Sequence, residues 1–193
     1  MKVDLSFIPD SESGDWKVES FEVKRDDLSQ RIALLKTGRS VTEGTYKRLK
    51  RCNTVVMSNT PDEIRDFIHF TKKATGSILI NGLGLGCVIK VLLEKPEVTK
   101  ITVIEQSKDV IGLISPYFTD SRLNIINADA FEYKPLKGEV FDYVWHDIWD
   151  YICGDNLSEM ATLHRKYARK TNWQDSWAKS ECKRLSKRER SFF

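Results

Sequence analysis

In the stretch Ile80-Asn81-Gly82-Leu83-Gly84-Leu85-Gly86, three glycines alternate with larger residues directly after an apolar run. Glycine lets a chain turn tightly and lets backbone approach a ligand closely. A helix starting straight after such a turn offers free N–H groups and the positive end of its dipole. Glu105 closes a second apolar run 19 residues beyond Gly86. A carboxylate placed there can accept hydrogen bonds from both hydroxyls of a ribose, and Gln106 follows it. Asp129, in Asn127-Ala128-Asp129-Ala130-Phe131, follows a third run and can accept from an adenine amino group. Finally, Trp145-His146-Asp147-Ile148-Trp149-Asp150 packs one histidine, two carboxylates and two tryptophans into six positions. Asp147 can accept a proton from an amine or hydroxyl, or orient it. His146 can do the same, with an ordinary pKa of about 6.5. Each residue also has a plainer reading: turn glycines, capping acids, a half-buried histidine and core tryptophans.

These groups need a frame that brings them together. Residues 78–80, 101–104, 123–126 and 141–145 read as short buried strands, with helices over 87–94 and 108–118 between them. Strand–helix alternation of this kind predicts an α/β fold, built of βαβ units with a parallel sheet. Ligands in such sheets sit at the carboxyl ends of the strands, where Gly82–Gly86, Glu105, Asp129 and Asp147 all fall. Ahead of the sheet, 16–23 and 54–58 read as strands and 26–37 as a helix. Thr60-Pro61-Asp62-Glu63 then starts a further helix, with Thr60 as cap and Glu63 closing a capping box. After Asp150 no strand is convincing, and 156–170 and 173–190 read as helices. The sheet is therefore expected to be short, at four parallel strands. Trp173 and Trp177 then lie on one helix face as a packing stripe, and the N-terminal strands or the last helix cover the sheet edge. The division expected is an N-terminal strand–helix extension (1–60), a core (61–155) and a helical basic segment (156–193).

The glycine spacing is GxGxG and not the GxGxxG of dinucleotide sites. A GxGxG loop, an acid ending the second strand, an Asp after the third and a polar cluster after the fourth together resemble class I S-adenosylmethionine (SAM) dependent methyltransferases. Val56-Met57-Ser58-Asn59-Thr60-Pro61-Asp62-Glu63 looks like the lead-in of their spermidine-synthase-like branch, and the resemblance covers about 54–150. It implies a three-layer αβα Rossmann-like fold with SAM as cofactor. Gly82, Gly84 and Gly86 would pass its methionine moiety, and Glu105 would hold the ribose. Gln106, Asp129 and Ala130 would border the adenine, and Asp147 would stand on the substrate side. Asn81 stands where many relatives carry Asp or Glu. The reading is a methyltransferase of unknown acceptor. Its competitors are an aminopropyl-transferring or SAM-cleaving enzyme of the same fold, and a non-catalytic nucleotide- or nucleic-acid-binding module.

Composition sets the remaining bounds. At 193 residues, with 40% apolar and 31% charged, the chain can bury a core without disulfide staples. Cys52, Cys87, Cys153 and Cys182 are too far apart in sequence for a zinc half-site and read as free thiols, with no metal implied. No apolar run reaches the ~20 residues of a membrane helix, and the first ten residues carry no secretory h-region, so a cytoplasmic location is expected. The motifs of exocyclic-amine and cytosine-C5 DNA methylation are absent. Residues 161–193 hold ten Lys/Arg and three acids, so this tail is +7, while residues 1–160 are −4. A basic tail attracts polyanions, so RNA or DNA joins small molecules as a candidate partner. The expected state is a monomer or homodimer.

Overall fold

The computed structural model describes residues 1–24 and 41–190; the helix expected over 26–37 lies outside them. Four strands, β1 (Ser11–Ser13), β2 (Trp16–Val23), β3 (Gly44–Arg51) and β4 (Thr54–Ser58), form an antiparallel sheet in that order. Val18 and Leu49 pair across its middle ladder and are fully buried, in one cluster with Val3, Leu5 and Ile8. Sequence reasoning missed β3, because GTYKRLKR reads as a solvated charge run. The charges are matched locally: Lys47 bonds Asp10, and Arg48 and Lys50 both reach Glu19.

The sheet hands over to α1 (Pro61–Lys73), whose acids Asp62 and Glu63 sit at the positive end of the helix and whose Lys72 and Lys73 sit at the negative end. Thr60 is the N-cap residue, yet its side chain makes no cap bond. Its hydroxyl pairs instead with Ser58 Oγ at 2.9 Å, so the expected capping box does not form.

The second sheet comprises β5 (Gly76–Asn81), β6 (Val98–Glu105), β7 (Leu123–Asn127), β8 (Phe141–His146) and β9 (Thr171–Ser176), ordered β7-β6-β5-β8-β9. Every neighbouring pair is parallel. The crossovers carry α2 (Cys87–Leu93), α3 (Lys108–Ile114, running into a 3₁₀ turn Ser115–Tyr117) and α4 (Asn156–Tyr167); α5 (Lys179–Arg190) follows β9. Alternate side chains show that both faces are covered. Trp145 and Trp173 meet Phe70 of α1, with centroids at 5.0 and 5.8 Å and planes 5° apart. His146, one residue on, faces α4 through His164 and Tyr167. The result is the expected three-layer, Rossmann-like αβα arrangement.

Several expectations about the chain after Asp150 are corrected. The sheet has five strands and not four, because 171–176 is a strand and 173–190 is not one helix. β9 itself forms the sheet edge, so the N-terminal strands do not close it. Trp173 lies on β9 and Trp177 after it, which dissolves the proposed helical stripe. The strand escaped notice because its sequence, TNWQDS, is polar, as edge strands are. No described helix is long and apolar enough to cross a membrane.

Candidate functional site

A cleft of about 530 Å³ opens at the carboxyl ends of the parallel strands, the size range of small-ligand sites. The GxGxG loop forms its floor by simple alternation. Leu83 and Leu85 are buried and anchor the loop, leaving Gly82 and Gly84 at the cleft surface. Gly82 has φ +101°, and a Cβ there would lie 1.9 Å from the Asp147 carbonyl oxygen. A Cβ on Gly84 would meet Met57 Sδ at 2.5 Å. Gly86 plays another part: it caps α2 at φ +75°, packed under the Phe118 ring, and does not line the cleft.

Glu105 ends β6 beside this loop. Its Oε2 accepts from Leu83 N–H at 2.9 Å and its Oε1 from Ser107 N–H at 2.8 Å. The carboxylate is thereby fixed in orientation while each oxygen keeps a second acceptor position. Gln106, Asp129 and Ala130 line the same wall, with Ile104, Val110, Ala128 and Phe131 supplying apolar surface. Asp129 Oδ1 accepts from Phe131 N–H at 2.6 Å, so one oxygen braces its own loop.

Asp147 and His146 part company at the end of β8. Asp147 N–H bonds the Asn81 carbonyl at 2.8 Å, and the residue lines the cleft. Burial pushes its carboxyl up to about 7, opposed by the nearby Trp145 indole and, to a smaller extent, joined by the charge of Asp66. His146 is wholly buried on the opposite face. Asn81 Nδ2 donates to its Nδ1 at 2.7 Å, and its Nε2 faces Gln174 Oε1 at 3.2 Å. Gln174 is oriented in turn by donating to the His164 carbonyl at 2.9 Å. Burial holds the His146 imidazole down, to about 3, and therefore neutral. The structure thus takes His146 out of the set of proton acceptors open to the cleft. Asn81 belongs to this same internal network, fully buried and turned from the cleft.

Sequence reasoning missed the roof. Trp16, Leu49 and Arg51 of the antiparallel sheet line the cleft, as do Val56 and Met57. Arg51 forms an ion pair with Asp150, and its guanidinium lies 5.5 Å over the Trp16 ring, its partner across the β2–β3 ladder. Glu159 of α4 accepts from the Trp149 indole at 2.7 Å. No local pattern signals contacts between residues so far apart in sequence. Among the described residues, no cluster of three His, Cys, Asp or Glu side chains could hold a metal.

Comparison with known proteins gives likenesses of limited reach. No family model matches the chain. The polyamine aminopropyltransferases of three strains of Buchnera aphidicola subsp. Acyrthosiphon pisum are each 33% identical over 90 residues, which is 42% of this chain and 32% of theirs. The chain thus matches these curated relatives over about a third of their length. Among solved structures, the N-methyltransferase NodS from Bradyrhizobium japonicum is 15% identical, covering 64% of this chain and 71% of that one, with a TM-score of 0.46. Spermidine synthase from Thermotoga maritima is 19% identical, covering 72% and 46%, with a TM-score of 0.43. Both scores lie below 0.5, so the fold rests on the strand order described above.

Proposed function

We propose that the chain is a SAM-dependent transferase that delivers a methyl group to an acceptor positioned by Asp147. The observation that carries this reading is the convergence of Gly82, Gly84, Glu105, Asp129 and Asp147 on one cleft. The lining fits an adenosine-bearing group: apolar walls for a base, an oriented Glu105 carboxylate for a ribose diol, and bare glycine backbone on the floor. When bound, SAM supplies a sulfonium-activated methyl group. The chain's own part is alignment and proton management. The loop and walls hold the reactants in line, which is where most of the rate advantage of such a transfer lies. Asp147, titrating near neutrality, takes up the proton of an amine or hydroxyl acceptor. The acceptor itself, a small molecule or a nucleic acid, is left open by this lining.

A second reading, transfer of an aminopropyl group from decarboxylated SAM, is favoured by the partial likeness to aminopropyltransferases. Asp147 and Asp150 are the carboxylates it would use for a cationic acceptor. A third inference concerns the tail: α5 exposes Lys183, Arg184 and Lys187, which fits contact with RNA or DNA.

Isothermal titration with S-adenosylhomocysteine, SAM, decarboxylated SAM and NAD tests the reading. Binding of the first two and none of NAD is expected. Glu105→Ala should weaken binding by about 1.5–3 kcal/mol, the usual loss when one partner of a charge-assisted hydrogen bond is deleted. NAD binding in preference to SAM, or a Glu105→Ala variant that binds unchanged, would remove the assignment.

A further inference from the structure

Between β7 and β8, residues 128–140 carry no helix or strand, yet Ala128, Asp129, Ala130 and Phe131 form one wall of the cleft. Internal hydrogen bonds fold the start of this stretch into a turn. Asp129 Oδ1 accepts from the Phe131 N–H, and the Asp129 carbonyl accepts from the Tyr133 N–H at 2.8 Å. Asp129 Oδ2 takes no hydrogen bond from a described residue. Ala130 is buried, but apolar packing is non-directional and leaves the angle of such a turn unset. Among the described residues, the hydrogen bonds that tie 129–138 to another element both come from one side chain, Lys166 of α4. Its Nζ donates to the Ala130 carbonyl at 2.9 Å and to the Phe131 carbonyl at 2.6 Å. The ammonium also lies 5.7 Å from the ring centroid of Tyr167, which is fully buried and gives the lysine a rigid seat. Lys166 stands about two turns beyond Glu159 on the same helix. One helix therefore lines the cleft at Glu159 and braces the wall that carries Asp129.

We propose that Lys166 is a positioning residue for base recognition: by holding the Ala130 and Phe131 carbonyls, it fixes the Asp129 turn in the setting that selects a 6-amino purine. The inference rests on the adenosine reading of the cleft given above. A carboxylate distinguishes a 6-amino from a 6-oxo purine only while its free oxygen stays on the amino group. A supporting shell that lets the wall move by about 1 Å loses that distinction. Lys166 lines no part of the cleft itself, so it acts through the turn and not on the ligand. Hydrogen bonds from an ammonium to carbonyl oxygens are charge-assisted, about twice as strong as neutral ones, and two of them from one donor fix both position and angle. Replacing the ammonium by an apolar end removes both bonds at once and leaves the internal bonds of the turn in place.

The test is calorimetric titration of the full chain with S-adenosylhomocysteine and with S-inosylhomocysteine, whose purine carries a 6-oxo group. The parent should prefer the first by about tenfold or more, and Lys166→Met and the milder Lys166→Gln should cut that preference to about twofold, the scale of one hydrogen bond to a charged group. Lys166→Arg, which keeps the charge and the reach, should stay near the parent. Asp129→Asn should lose the preference too, and adding Lys166→Met to it should change little further, because both act on one contact. Amide hydrogen exchange reads the brace without any ligand. In Lys166→Met the Phe131 and Tyr133 amides should exchange faster, while those of β6 keep the parent's rate. A Lys166→Met or Lys166→Gln protein that binds S-adenosylhomocysteine with the parent's preference would overturn the proposal. So would unchanged exchange at Phe131 and Tyr133, or faster exchange over β6 as well, which would mark a lysine that merely supports the fold. The two readings fail differently. A parent that binds neither compound removes the adenosine reading and this proposal with it, whereas a parent that binds both equally removes the proposal alone.

Discussion

Adjacent in the chain, His146 and Asp147 leave β8 on opposite sides, and burial drives their proton affinities apart. The imidazole falls from 6.5 to about 3, and the carboxyl rises from 3.8 to about 7. Both shifts favour the neutral form, but they act on stability in opposite senses. For His146 the unfolded chain binds the proton more readily. Its contribution is therefore full above about pH 6.5 and is lost as pH falls towards 3. For Asp147 the folded chain binds the proton more readily. Its contribution is full below about pH 3.8 and is lost as pH rises to 7. Asp147→Asn should therefore be more stable than the parent, by a margin that grows between pH 4 and 7 and then levels off. Transfer activity should rise with pH through about 7 in the parent and fall in the variant by about 10²–10⁴-fold, the usual contribution of a positioned base. Urea unfolding at a series of pH values, set beside the pH–rate profile, reads both. A variant destabilised at pH 8 would show that Asp147 holds the fold together and is not a strained functional group. That Asp147 lines the cleft was legible from its place just after a buried strand. That His146 does not was hidden, because the sequence says nothing of which neighbours Asn81 and Gln174 turn to.

At the scale of elements, strong apolar periodicity made β5, β6, β7 and β8 readable, and each runs at least to the expected bounds. β3 and β9 were not readable, for related reasons. Each spends its side chains on partners distant in sequence: the charges of β3 on Asp10 and Glu19, and Trp173 of β9 on Phe70. Single-sequence patterns report burial by one's own periodicity, and neither strand has it. β9 pairs with β8 along Phe141–His146, and α5 buries Cys182 behind it. Deleting 171–193 should therefore strip a hydrogen-bonding partner from β8 and uncover Trp145 and Phe70. An unpaired, apolar strand edge invites association between chains. The truncated chain should pass into the insoluble fraction or elute as large species in gel filtration with light scattering. A soluble, monomeric truncation that still binds S-adenosylhomocysteine would mean that β9 is dispensable to the sheet.

Charge is distributed unevenly over the whole molecule, and the structure shows where the excess goes. The basic residues of β3 are spent on internal pairs, whereas Lys183, Arg184 and Lys187 of α5 are exposed and make no ion pair among the described residues. Arg188 is exposed beside them, and Lys179, one turn earlier, is held by Asp175. α5 packs on α4, the helix that supplies Glu159 to the cleft, so a polyanion lying along α5 would come near the acceptor side. Three phosphate contacts to a single strand give a slope of log K against log salt of about −2, which amounts to roughly a twentyfold loss between 50 and 200 mM. Fluorescence anisotropy with a labelled oligouridylate should show that loss in the parent protein. The triple variant Lys183→Glu, Arg184→Glu, Lys187→Glu should bind at least tenfold more weakly at 50 mM and with a flatter slope. These positions are solvent-facing, so the fold should survive the charge reversal, as a melting curve will show. Undetectable binding by the parent at 50 mM, or equal binding by the variant, would reduce α5 to a solvated face and return the acceptor to the small molecules.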